Sequence, residues 1–263
     1  MNTQNQTSSH KAFTLIELLV VVVILTVLAA MVLPAMAGTR TNTKAAQCMN
    51  NVRRLTSAWQ MHINDNTDQF PLKLVANLMD WGASPDNTNA AKLIDPTQSE
   101  IARYVQSADL FKCPADNYQS GANLGPRVLS VSANALLGNG IQPANVLNQI
   151  AGRTYIAKLT KITQLNKPGP ANTIAILDEH PDSIDDALFI SRVGCVPGNA
   201  FWVNRPGSLH DGAASISFAD GHVMLKRWQD VRTVSPVIYS SQVNIAVPGS
   251  PDYTWLNDRM PYL

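Results

Sequence analysis

The chain has 263 residues, 20 Lys+Arg against 19 Asp+Glu, and a formal net charge of +1. A balance this even excludes a strongly basic nucleic-acid face or a polyacidic tail as the main partner signal. With 45% hydrophobic and 15% charged residues, the composition also excludes general disorder and allows a sizeable core.

Residues 1–11 are polar, rich in Asn, Gln, Ser and Thr, with Lys11 as the sole Lys or Arg. Residues 13–33 are apolar except for Thr14, Glu17 and Thr26. As a helix this stretch would extend roughly 30 Å, the thickness of a bilayer hydrocarbon core, so it reads as a membrane-spanning helix behind a short leader. Three readings compete: a retained anchor, a secretory signal peptide with a cleavage site at Ala35-Met36-Ala37, and a leader cut just before the apolar block. The run is too long and its basic flank too thin for an ordinary signal peptide. A carboxylate within it is costly and normally marks a function with an opposite charge nearby. No Lys, Arg or His stands within helical reach of Glu17 inside the block. Cleavage after Ala12 would create a positive amine on Phe13.

The segment Lys11-Ala12-Phe13-Thr14-Leu15-Ile16-Glu17-Leu18-Leu19-Val20 resembles the prepilin cleavage and methylation segment of type IV pilins and type II secretion pseudopilins. The resemblance implies that a prepilin peptidase cuts between Ala12 and Phe13 and methylates the new Phe13 amine. It implies that Glu17 neutralises the Phe13 amine of an adjacent subunit, and that Pro34 kinks the helix. Ala12 departs from the family's usual Gly at this position but remains small. Implied partners are the peptidase, other pilin-like subunits in a homo- or hetero-polymer, an inner-membrane assembly platform and the lipid bilayer. The implied location is a single pass through a bacterial inner membrane, with the head in the periplasm or, in a filament, outside the cell. Nothing in the sequence points to nucleic acid.

Beyond Pro34, apolar residues recur at Ala45, Cys48/Met49, Val52, Leu55, Ala58/Trp59 and Ile63, the spacing of one helix face. The helix is therefore expected to continue to about Asn64 and stop at the turn-favouring Asn64-Asp65-Asn66. Arg40, Lys44, Arg53 and Arg54 follow the apolar block on the side to be translocated, against the positive-inside tendency. They read as a solvated helix face or as partners for acidic groups of neighbouring subunits. The expected organisation is a leader at 1–12, a membrane or filament-core helix at 13–34, an amphipathic continuation at 35–64 and a globular head at 65–263.

Within the head, loops are expected at 80–89 and 121–126, and a short capped helix at 98–107 after Asp95-Pro96-Thr97. Strands are expected at 128–133, 173–177 and 188–193. Two β-rich runs, 214–219 and 222–228, flank Asp220-Gly221, a sequence favouring a type I′ hairpin turn with both residues at positive φ. The fold class is α+β and pilin-like: one long N-terminal helix packed on a mainly antiparallel sheet, with long loops.

His210, nine intervening residues and Asp220-Gly221 also resemble the H-x9-DG signature of a pilin-like, prepilin-type processing-associated family. The runs Cys48-Met49-Asn50-Asn51-Val52-Arg53, Lys112-Cys113-Pro114-Ala115-Asp116 and Leu177-Asp178-Glu179-His180-Pro181-Asp182-Ser183-Ile184-Asp185-Asp186 match it as well. That family implies an exported pseudopilin-like subunit and no particular chemistry. There are three cysteines, Cys48, Cys113 and Cys195, and an exported head occupies an oxidising space. Because Cys48 and Cys113 both lie in the matching segments, they are the favoured disulfide, with free buried cysteines as the alternative.

Asp178, Glu179, His180, Asp182, Asp185 and Asp186 place six potential ligands in nine positions, and His210, Asp211, Asp220 and His222 could lie near them in space. This makes Asp178, Glu179 and His180 a candidate site for calcium or another divalent cation, although no EF-hand spacing is present. Turn and capping roles are the alternative, and no other cofactor is expected. His210 with Asp220 suggests a general base and its orienter, but no nucleophile of recognisable spacing accompanies them. No catalytic residue is therefore assigned, and the chain is not expected to be an enzyme. Trp81 and Trp202, in Asp/Asn/Gly-rich surroundings, could form a stacking platform for a sugar. The main expectation is a structural subunit of a filament or pseudopilus for secretion, adhesion or uptake. The alternative is a membrane-tethered or filament-tip module that binds an extracellular polymer such as a glycan.

Overall fold

The computed structural model describes residues 14–72, 74–75, 85–119, 125–138, 149–150, 153–154, 159–191 and 197–262, without the side chains of residues 29, 31–42, 149–150 and 153–154. The leader, Phe13, Trp81 and Cys195 lie outside these residues. Two compact units are present, Met1–Thr41 and Asn42–Leu263.

The first unit is the N-terminal part of α1, Leu15–Asp65. Its start is a capping box. Glu17 Oε2 accepts from Thr14 N at 2.9 Å and Thr14 Oγ1 at 2.7 Å, and Thr14 Oγ1 accepts from Glu17 N at 3.3 Å. Two backbone donors that the helix cannot satisfy itself are thus paired. Thr14-x-x-Glu17 is the sequence signature of this cap, and the charge-based expectation for Glu17 overlooked it. The large apolar side chains over 15–28 are exposed, between 45% at Val21 and 82% at Leu15. The helical backbone is continuous across Pro34. Among the described residues, no helix is long and apolar enough to cross a membrane.

The second unit begins within α1. Ala45, Cys48, Val52, Leu55, Ala58, Trp59 and Ile63 are buried, the three- and four-residue steps the sequence predicts. Trp59 stacks on Phe70 with ring centroids 5.3 Å apart, and burial of a side chain of this class contributes about 1.5–3 kcal/mol. The helix ends where expected: Asn66 Nδ2 donates to the His62 carbonyl at 2.7 Å, and Thr67 and Asp68 turn left-handed at φ 53° and 65°. Asn and Asp tolerate that conformation best, and here it is reached just past the last helical carbonyls.

The predicted helix at 98–107 is instead a chain of turns with one 3₁₀ turn, Ala102–Tyr104. Asp95 Oδ1 accepts from Thr97 N at 2.8 Å and Oγ1 at 2.7 Å, closing a local turn, while the Ser99 hydroxyl donates to the Leu74 carbonyl at 2.6 Å. A ten-residue helix is marginal alone, and these competing bonds take its first turn away.

The strands are β1 Val131–Asn134, β2 Gln149–Ile150, β3 Arg153–Thr154, β4 Ile174–Asp178, β5 Leu188–Phe189, β6 Phe201–Trp202, β7 Ala213–Phe218, β8 Val223–Arg227 and β9 Ile245–Ala246; α2 is Pro251–Asn257. The main sheet has the order β5-β1-β4-β7-β8, and its pairings are antiparallel except that of β1 with β5. The fold is thus α+β, with a long N-terminal helix and a mainly antiparallel sheet. Of the strand predicted at 188–193, the described residues form Leu188–Phe189, and 192–193 lie outside them.

Two cores result. Val52, Leu55, Trp59 and Ile63 of α1 pack with Val131, Ala175 and Ile176, whereas Ile174, Leu177, Ile216 and Phe218 pack with Trp202, Tyr253 and Leu256. Ala175 and Ile176 share a core because the β4–β7 register shifts between Ile174 and Leu177, a bulge that resets which face the following residues take. Trp202 is 1% exposed against Tyr253, so it cannot be the surface platform expected for a sugar.

The Asp220-Gly221 hairpin forms, but not with a type I′ turn. Gly221 has φ 98° while Asp220 is not left-handed. Gly221 N donates to the Phe218 carbonyl at 2.9 Å and Phe218 N to the His222 carbonyl at 3.0 Å. This is the three-residue loop in which a type I turn is followed by a left-handed glycine. Asp220 Oδ1 accepting from His222 N at 3.1 Å holds that form.

Candidate functional site

The acidic run beginning at Asp178 is not the surface feature its composition suggests. Asp178, Glu179, His180 and Asp182 are 0–4% exposed, and they do not converge. Successive side chains along extended backbone leave on opposite sides, and each of the three expected ligands enters a different environment.

Glu179 accepts from Ser132 Oγ at 2.5 Å, Ser183 Oγ at 2.9 Å and Asn204 Nδ2 at 2.7 Å. His180 lies against the Arg205 guanidinium, 2.8 Å from its Nδ1 and 3.0 Å from its Nε2, with the Ser235 carbonyl at 3.1 Å. Burial and the Arg205 charge lower its pKa to about 4. Asp182 accepts from the backbone of Ile238 at 2.9 Å and Tyr239 at 3.0 Å, pinning the segment after β8. The expectation that Asp178, Glu179 and His180 share a cation is therefore overturned.

Asp178 alone faces α1. Cys48 Sγ lies 3.1 Å from its Oδ1 and 3.2 Å from its Oδ2. His210 Nε2 is 3.8 Å from Oδ2 and 3.3 Å from Cys113 Sγ. One donor atom from each of Cys48, Cys113, Asp178 and His210 lies within 4.8 Å of all the others, and all four residues are buried. The elements hold them firmly. Cys48 sits on the buried stripe of α1, and Cys113 opens a turn closed by Asp116 N donating to its carbonyl at 3.0 Å. Asp178 ends β4 and accepts from Ser215 N of β7 at 2.8 Å. His210 enters β7 through its paired backbone with Ala213.

The four groups polarise one another. Hydrogen bonds from Cys48 and His210 bring the Cys113 thiol down to about 5, against its burial. The same Cys113 contact, burial and the Asp178 charge drive Cys48 upward. Burial raises Asp178 to about 7. Burial opposes charge on His210, but Cys113 and Asp178 outweigh it and its pKa rises.

Cys48 and Cys113 stand as free thiols, which corrects the expected disulfide. Besides their mutual contact, the Cys48 sulfur lies against the Asp178 carboxylate and the Cys113 sulfur against the His210 imidazole. The His210–Asp220 pairing that the sequence suggests, against a turn role for Asp220, is also not formed. The two lie at opposite ends of β7, where Asp220 takes His222 Nδ1 at 2.7 Å on the surface. A thiolate beside an imidazole resembles a nucleophile with its base, but Cys113 is 0% exposed and no substrate reaches it in this conformation. The signal for the cluster in the sequence is the chemistry of Cys48, Cys113 and His210, two thiols and an imidazole that stand in separate segments of the chain.

Residues 7–33 match the prokaryotic N-terminal methylation motif, so the chain begins with a segment of the prepilin type. No curated protein and no solved structure gives a significant match to it.

Proposed function

We propose that this chain is an exported pilin-like structural subunit. In this reading prepilin peptidase cleaves it between Ala12 and Phe13 and methylates Phe13, and its N-terminal helix then assembles it with other pilin-like subunits into a filament or pseudopilus. The match to the methylation motif over 7–33 carries the reading. The apolar run at 13–33 has the length to enter the inner membrane before assembly. An apolar helix surface this extensive needs lipid or neighbouring helices around it. In a filament core, an unpaired Glu17 carboxylate would be costly, and the Phe13 amine of an adjacent subunit neutralises it. The role is structural rather than catalytic.

The N-terminal residue of mature protein isolated from cells tests the proposal. Peptide mass spectrometry should find N-methylated Phe13 as the first residue. Mature chains beginning at Met1 or at Gly38 would refute it.

A further inference from the structure

We propose that Cys48, Cys113, Asp178 and His210 are the four ligands of a closed tetrahedral zinc(II) site that fastens α1 to the sheet. The donor set is the first ground. Two sulfurs and an imidazole suit a borderline-soft ion and do not suit calcium, which takes six or more oxygens.

Geometry is the second. Zinc lies roughly 2.0–2.3 Å from N, O and S ligands, so the edges of its tetrahedron are about 3.3–3.8 Å long. The contacts of 3.1, 3.3 and 3.8 Å between Cys48 and Asp178, Cys113 and His210, and His210 and Asp178 fall close to that range. A disulfide would require the two sulfurs at about 2.05 Å, with each withdrawn from its present partner.

The third ground is burial. All four residues are 0–2% exposed, so every ligand comes from the protein and no position is left for substrate. That is the form of a structural site rather than a catalytic one. Binding forms two Zn–S bonds, one Zn–N bond and one Zn–O bond, and the thiol protons leave to solvent. The ion's two positive charges offset two of the three negative charges of the thiolates and the carboxylate in a dry interior, where anions alone would be costly. The Ser215 N–H bond to Asp178 fixes the carboxylate as an outer support. The four ligands come from four distant parts of the chain, so the ion would do what the expected disulfide was to do.

The test uses the complete chain in detergent, purified from cells supplied with zinc. Elemental analysis should find one zinc per chain. Cys113→Ser and His210→Ala should lose it, Asp178→Asn should bind zinc at least about 10-fold more weakly, and the exposed His222→Ala should retain it. A ligand variant can lose its fold with its metal, so wild-type chain treated with chelator is also titrated with cobalt(II). Thiolate-to-cobalt charge-transfer absorption and intense tetrahedral d–d bands, saturating at one equivalent and bleached by zinc, support the site. A featureless or octahedral cobalt spectrum overturns it, as does a Cys48–Cys113 disulfide in non-reduced peptides. These outcomes are independent of the N-terminal residue and therefore of the filament reading.

Discussion

The Gln60 side-chain amide donates to the Ala219 carbonyl at 3.1 Å, tying the tip of the β7–β8 hairpin to α1. Cys48, twelve residues earlier on the helix and thus about 18 Å away along its axis, has its sulfur within 4.8 Å of a His210 ring nitrogen, near the other end of the same segment. The stretch from His210 to Gly221 is bonded to the helix at its hairpin end, and at the other end His210 and Cys48 both lie against Asp178. Ser215 and Ser217, on the strand between, keep that face small.

Gly221 is the first place to test this arrangement. Its φ is 98°, and an added Cβ would lie 3.0 Å from Gln60 Nε2. Gly221→Ala should destabilise the chain by about 1–2 kcal/mol, chiefly through the left-handed backbone. Adding Gln60→Ala should restore little, because a flexible side chain could have moved aside anyway. Urea midpoints for the single and double variants measure this, and an unchanged midpoint for Gly221→Ala would remove the conformational requirement.

Thr14 separates two roles of Glu17. Thr14→Ala removes the cap, at a cost of about 1 kcal/mol to the start of the helix, and should leave assembly intact. Glu17→Gln keeps the shape and loses the charge, and Glu17→Ala loses both. Both should insert normally and fail to form filaments in electron micrographs. Equal assembly defects in Thr14→Ala and Glu17→Ala would reduce Glu17 to a cap residue.

Glu179 is satisfied by three side-chain donors from Ser132, Ser183 and Asn204. Glu179→Ala would take this acceptor from all three, leaving Ser183 Oγ and Asn204 Nδ2 with their longer bonds to backbone carbonyls at 3.2–3.3 Å, and a loss of about 2 kcal/mol or more is expected. Glu179→Gln preserves the shape and should cost less than half as much. Chemical denaturation of the two variants decides, and equal losses would mean that volume rather than hydrogen bonding matters.

Acid stability should depend on Asp230. The Arg232 side chain binds it through Nε at 2.9 Å and an η nitrogen at 2.6 Å, lowering its pKa from 3.8 to about 2. A carboxylate depressed on folding stabilises the folded state above its unfolded pKa, and the contribution disappears as pH falls through the folded one. Between about pH 4 and pH 2, wild-type chain should therefore lose about 1 kcal/mol that Asp230→Asn lacks throughout, a figure reduced for solvent screening. Identical acid-unfolding slopes for the two would exclude the pair.

What was legible in the sequence was local. The stalk stripe from Ala45 to Ile63 follows from helical period, and the Asp220-Gly221 hairpin from turn chemistry. The detailed turn type was not legible, because Ala219 and Asp220 also satisfy a type I turn and the Asp220 side chain bonds His222 instead. The acidic run misled for a related reason: composition shows which groups are adjacent in the chain, whereas strand geometry sends adjacent groups apart.

By itself the sequence determined the N-terminal segment, the long helix and its buried face, since each is encoded by neighbours within a turn or two. Only the tertiary structure decided that Asp178 meets Cys48, 130 residues away, together with Cys113 and His210. That meeting depends on sheet order and on the β4 bulge, which sets the face Asp178 takes. Both are settled by packing among distant strands, where no short-range pattern records the outcome.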